Sequence, residues 1–212
     1  MAQQQAAAWL DPVAEYYADK LRQFGATARG VDWNSADSQA LRFAQLCRLP
    51  RGKGPFSLND LGCGYGELLA WLRREGCEVD YLGIDISPAM VAAARERAGG
   101  APDARFEVGA TPGRVADYAM ASGIFNVRLA APEAEWRAHL LATLDVLHAC
   151  SRRGFAFNCL TSYSDPERMR ADLYYADPLA LFDHCKRRYA RDVALLHDYG
   201  LYEFTLIVRK EG

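Results

Sequence analysis

Ser57–Glu67 reads SLNDLGCGYGE: a short apolar run, glycines at alternate positions (Gly62, Gly64, Gly66), and an amphipathic stretch that begins at once. Glycine accepts the backbone angles of a tight turn and leaves room for a ligand against the main chain. A helix that starts behind such a turn offers unpaired N–H groups to that ligand. The segment therefore predicts a strand, a ligand-binding turn and a helix. Nineteen residues beyond Gly66, Asp85 closes the next apolar run, YLGID. A carboxylate at the end of the second strand is placed to accept hydrogen bonds from both hydroxyls of a ribose.

Outward from this segment the chain alternates. Strands are predicted at Phe56–Leu61, Val79–Ile84, Arg105–Val108, Tyr118–Ala121 and Phe155–Leu160. Helices are predicted at Glu67–Arg74, Pro88–Ala98 and Pro132–Cys150, with a weak one at Thr111–Ala116. Ser87-Pro88 and Asp177-Pro178 each pair a capping residue with a first-turn proline. Such alternation makes a parallel sheet covered by helices on both faces. The end of the chain departs from it. Val193–Tyr199 and Leu201–Arg209 flank Gly200 with no room for a helix, so this pair must be antiparallel. The expected fold is α/β, three-layered and Rossmann-like: seven strands, mostly parallel, with an antiparallel C-terminal pair. Ahead of it, Asp11-Pro12 reads as the start of one helix that runs to Gly25, and Ser35 as the start of a second that ends before Pro50. The chain is expected to be one domain, 1–212, with an N-terminal helical cap (1–54) over a core (55–212).

Composition narrows the function. The 212 residues carry 25 basic and 27 acidic side chains, a net charge of −2. That balance lacks the positive footprint of a general nucleic-acid or anionic-membrane binder. Half of the residues are hydrophobic, yet no run approaches the ~20 apolar residues of a membrane span. No signal peptide is recognised, and a cytoplasmic location is expected. The six cysteines form no CxxC pair and have no histidine at metal-ligand spacing, so reduced thiols are expected, and no metal.

The turn is GxGxG, not the dinucleotide GxGxxG, and Asp60 precedes it by two positions. A carboxylate there would repel a pyrophosphate and attract an ammonium group. DLGCGYG followed by GIDIS resembles the class I S-adenosylmethionine-dependent methyltransferases, and the resemblance covers residues 56–209. It implies the strand order 3-2-1-4-5-7-6 and S-adenosylmethionine as cofactor, with S-adenosylhomocysteine as product. Carried over, Asp60, Gly62 and Gly64 would hold the methionine portion and Asp85 the ribose, with Cys63, Tyr65 and Gly66 also expected at the cofactor. Ile86 would pack against the adenine, and Met90 is also expected at the cofactor. The family often has a Gly-Asp step after the third strand; here it is Gly109-Ala110, without the acid. Ser122 and Gly123 match the wall beside the methionine chain.

Acceptor contacts are expected after the fourth and fifth strands, from Asn126, Arg128, Tyr163 and Tyr174, and from Trp33 and Asn34 in the loop between the cap helices. The chain lacks the Asn/Asp-Pro-Pro-aromatic motif of nucleobase amine methylation. Only Asp165 lies where metal-dependent catechol-type enzymes cluster carboxylates. A small-molecule acceptor follows, with no general base identified. His139, His148, His184 and His197 are read as structural. A non-catalytic S-adenosylmethionine-binding module and a nicotinamide-dependent oxidoreductase stay open as alternatives.

Overall fold

A computed structural model describes residues 2–52 and 54–210, with side chains from residue 10 onward. Eight strands form one sheet: β1 (Phe56–Leu61), β2 (Val79–Asp85), β3 (Ala104–Val108), β4 (Ala116–Ala121), β5 (Ser151–Thr161), β6 (Tyr175–Ala176), β7 (Asp192–Leu196) and β8 (Glu203–Arg209). Their order is β3-β2-β1-β4-β5-β8-β7, with the two-residue β6 paired to the end of β5. Only β8 runs against its neighbours, β5 and β7. The expected sheet is therefore present, with the reversed strand one place in from the edge.

The helices are α1 (Ala2–Phe24), α2 (Ala36–Leu46), α3 (Glu67–Arg74), α4 (Pro88–Ala98), α5 (Glu133–Ala149) and α6 (Pro178–Arg188). Strand residues alternate between two apolar layers. Leu58, Tyr81, Met120 and Ile207 pack with α2, α3 and α4 through Leu46, Leu68, Leu72 and Val91. Leu61, Ile84, Phe157 and Leu206 pack with α5 and α6 through Trp136, Leu140, Leu144 and Leu181. Connections leave β1 toward both neighbours, so the crevice at the carboxyl ends of β1 and β4 is where a ligand is expected.

Three boundaries differ from expectation, each for a local reason. Asp11-Pro12 does not start α1; Pro12 lies inside it, where the ring withholds one helical N–H. Thr111–Ala116 is not helical: Pro112 and Gly113 break it, and Arg114 pins it as a loop by bonding Leu58 O, Asp80 O and Asn59 Oδ1. The C-terminal strands are joined by residues 197–202 instead of a tight turn at Gly200, so His197 falls just beyond β7. The short β6 has no sequence signal that could have found it.

The N-terminal segment is not a loose cover. Leu46 and Leu49 are fully buried in the core. Arg42, from α2, forks onto Glu203 at the start of β8, with Nε–Oε2 at 2.7 Å and Nη2–Oε1 at 2.8 Å. Its Nη1 donates to Ser38 O at 2.7 Å. Both side chains are buried, at 7% and 1% exposure. Taking one charge from such a pair strands the other in a poorly solvated place. Glu203→Gln should therefore destabilise the fold by about 3–5 kcal/mol in urea unfolding; a loss below about 1 kcal/mol, the value of an exposed pair, would mean that the pair does not fasten α2 to the sheet.

Candidate functional site

The turn after β1 is built as its sequence suggests. Gly62, Gly64 and Gly66 have φ of +75°, +54° and +81°, angles that favour glycine. The amides of Gly62 and Cys63 donate to Ile84 O at 2.7 and 3.0 Å, which closes the turn onto β2. The amide of Gly64 donates to Asp85 Oδ2 at 2.9 Å, and that of Ser87 to Oδ1 at 2.9 Å. One lone pair on each oxygen is thus engaged and the carboxylate is held in place. Burial raises the Asp85 pKa, and these two amides work against the shift.

Nine residues expected at the cofactor line one crevice: Gly62, Gly64, Asp85, Ile86, Met90, Gly109, Ala110, Ser122 and Gly123. Asp60, Cys63 and Tyr65 line an adjoining recess that shares Gly62, Gly64 and Ser122 with it. Gly66 lines neither. A Cβ at Gly66 would meet Ala94 and Phe106 at ordinary contact distance (3.4 and 3.5 Å), so the need for glycine there is its φ of +81°. The amide of Gly123 donates to Asn158 Oδ1 at 2.7 Å, which fixes the end of β4.

Trp33 lines the crevice, the recess and a third, more polar cavity of about 450 Å³. Its ring lies so close to Gly123 that a Cβ there would stand 2.4 Å from Cζ2. The Arg42 guanidinium stacks on it at 3.9 Å from the ring centre, within the range of a cation–π contact. The residue before it, Asp32, holds a φ of +61°, unusual without glycine. Three groups restrain it: Tyr16 Oη donates to Oδ2 at 2.6 Å, Lys20 Nζ lies 2.7 Å from Oδ1, and Arg170 Nη1 lies 3.6 Å from Oδ2.

Trp33, Asn34 and Asn126 meet at the polar cavity as expected. Asn126 is 5% exposed; its Oδ1 accepts the Leu160 amide at 3.1 Å and its Nδ2 has no partner among the described residues. The other three expected acceptor contacts are elsewhere. Arg128 is tied to the carbonyls of Leu173 (3.2 Å) and Ala131 (2.7 Å), so it braces the chain after β4. Tyr163 is 64% exposed, its ring beside His197. Tyr174 is buried in the core, because β6 turns Tyr175 toward the cavity in its place.

The sequence reading also missed Tyr17, Arg42 and Glu203, which line the cavity. Arg42 and Glu203 lie 161 positions apart, and no local pattern links them. His139, read as structural, lines the crevice instead.

Comparison with known proteins gives the family. Residues 59–153 match a family model described as a methyltransferase domain. A Mycobacterium tuberculosis (strain ATCC 25618 / H37Rv) protein named as a methyltransferase is 63% identical over 163 residues, 77% of this chain and 98% of the relative. The chain belongs to the class I S-adenosylmethionine-dependent methyltransferases. The fold agrees with solved members at low identity. The DhpI-SAM-HEP complex superposes with a TM-score of 0.65 at 16% identity, covering 94% of this methyltransferase and 96% of that chain. Magnesium protoporphyrin IX methyltransferase from Synechocystis, with bound SAM, gives 0.54 at 16% identity over 82% and 77%.

Asp60 is the most perturbed carboxyl of this methyltransferase site. Burial pushes its pKa up to about 7, against the hydrogen bond it accepts from Tyr81 Oη. A carboxyl that binds its proton more tightly when folded makes stability fall as pH rises from the unfolded pKa, near 4, through the folded one. Asp60→Asn removes the buried charge, so it should gain stability over the native protein between pH 5 and pH 8, by a few kcal/mol at the upper end. Urea unfolding at the two pH values checks this; equal effects at both would show that Asp60 is ionised throughout.

Proposed function

We propose that this methyltransferase binds S-adenosylmethionine in the glycine-lined crevice and transfers its methyl group to a small-molecule acceptor held in the polar cavity. The observation that carries the proposal is Asp85: a carboxylate fixed by two amides at the end of β2, facing a crevice walled by glycines. The donor set fits the cofactor along its length. Asp85 keeps acceptor capacity for the two ribose hydroxyls. Asp60 offers a carboxylate to the ammonium group, and ionised Asp60 would gain most from that cation. Gly62, Gly64 and Gly123 let the methionine portion approach the main chain. Ile86 and Met90 give an apolar bed for the base.

S-adenosylmethionine supplies an electrophilic methyl group on a positively charged sulfur. The task left to the chain is geometric. Trp33 and Tyr17 stand between crevice and cavity, keep water from the sulfonium and confine the acceptor. Asn126 Nδ2, unshared among the described residues, is a donor for an acceptor oxygen. In-line displacement then depends on holding nucleophile, methyl and sulfur in a row, and orientation of this kind is worth roughly 7–11 kcal/mol of barrier. Residues 1–54 act as the cap of a single domain whose core is 55–212.

Asp85→Ala should weaken S-adenosylhomocysteine binding by about 2–4 kcal/mol, the loss of two charge-assisted hydrogen bonds, and should also lower the thermal unfolding midpoint, because the Gly64 and Ser87 amides lose their acceptor. Calorimetric titration measures it. Unchanged affinity in a folded variant would remove Asp85 from the ribose site and the proposal with it.

A further inference from the structure

The crevice lined by Ile86, Gly109 and Ala110 is mostly apolar. Trp136 Nε1 already donates to Phe125 O at 2.8 Å. The Thr143 hydroxyl donates to the carbonyl of His139 at 2.9 Å, which leaves the hydroxyl oxygen as a second acceptor in the lining. The imidazole of His139 is different. It lines the same crevice, lies beside the Trp136 ring with centroids 5.3 Å apart, and has no hydrogen-bond partner among the described residues. Burial lowers its pKa, which keeps the ring neutral at neutral pH, with one donor nitrogen and one acceptor nitrogen.

An adenine bound in the crevice would bring in an exocyclic amine with two donors. Ile86, Met90 and Ala110 offer it no side-chain oxygen or nitrogen. A buried donor without a partner weakens binding by its full desolvation cost. We infer that His139, from α5, reads the adenine amino group through its unprotonated ring nitrogen, and so selects a 6-amino over a 6-oxo purine. The inference rests on the cofactor reading above and adds to it a specificity-determining residue on a helix outside the glycine turn.

The test compares S-adenosylhomocysteine with S-inosylhomocysteine, in which an oxo group replaces the amine, by calorimetry on the full chain at pH 7.5. The native protein should bind the adenosyl compound at least tenfold more tightly, the worth of about one buried hydrogen bond. His139→Phe should lose about tenfold for the adenosyl compound and less than about twofold for the inosyl one, so that discrimination collapses. His139→Gln, which keeps an acceptor oxygen, should recover part of it. In native protein with ¹⁵N-labelled histidine, saturation with the adenosyl compound should shift the His139 acceptor nitrogen, and the inosyl compound should not. That measurement stands even where a variant folds poorly.

Equal loss for both compounds in His139→Phe would make His139 a packing residue and overturn the inference. Unchanged affinities would do the same, and would point to a backbone acceptor. Failure of the native protein to bind either compound would contradict the cofactor reading itself, and the role of His139 with it.

Discussion

The hydrogen bond from the Gly64 amide to the Asp85 carboxylate, 2.9 Å long, joins the two pieces of the site that the sheet brings side by side. It requires Gly64 to hold a φ of +54° and β1 and β2 to stay in parallel register up to Leu61 and Ile84. Once it forms, the glycine turn cannot swing away from β2, and the carboxylate cannot rotate out of the crevice. The turn, the acid and the start of α3 thus become one rigid unit, as a preorganised binding site requires. The closeness of Gly62 to Ile124, where a Cβ would stand 2.0 Å from Cγ2, extends the same constraint to the segment after β4.

The second constraint comes from the N-terminal segment. Arg42 bonds Glu203 at the sheet and stacks on Trp33, and Trp33 covers Gly123. A chain of contacts therefore runs from β8 through α2 to the wall between crevice and polar cavity. Asp32, held by Tyr16, Lys20 and Arg170, fixes the loop from its other side. Strained backbone at a binding wall persists only where surrounding contacts over-determine it, and here charged groups from α1 and from the chain after β5 do so. The position of Trp33 is thereby coupled to both compartments.

How much of this was legible depends on the range of the signal. The strand at Phe56–Leu61, the glycines and Asp85 are local patterns, and their spacing alone places them at one crevice. The reversed β8 was legible because no helix fits between Val193 and Arg209. Pro12 misled because a proline that suits the first turn of a helix is also tolerated within one, at the loss of one bond. Arg128, Tyr163 and Tyr174 were misplaced because the path after β4 and β5 is set by carbonyl contacts and by the short pairing of β6. Neither leaves a pattern in the sequence. Arg42 meets Glu203 across the fold, and His139 reaches the crevice from α5; both are invisible until the sheet is assembled.

The most direct measurement is calorimetric titration of the intact protein with S-adenosylmethionine, S-adenosylhomocysteine and NAD under one condition. The account requires the first two to bind with Kd of about 1–100 μM, roughly −5 to −8 kcal/mol, and NAD to show no saturable heat, because the carboxyl of Asp60 lines the recess beside the glycine turn and disfavours a pyrophosphate there. Saturable binding of NAD with no heat from either methionine compound would contradict the account at its centre.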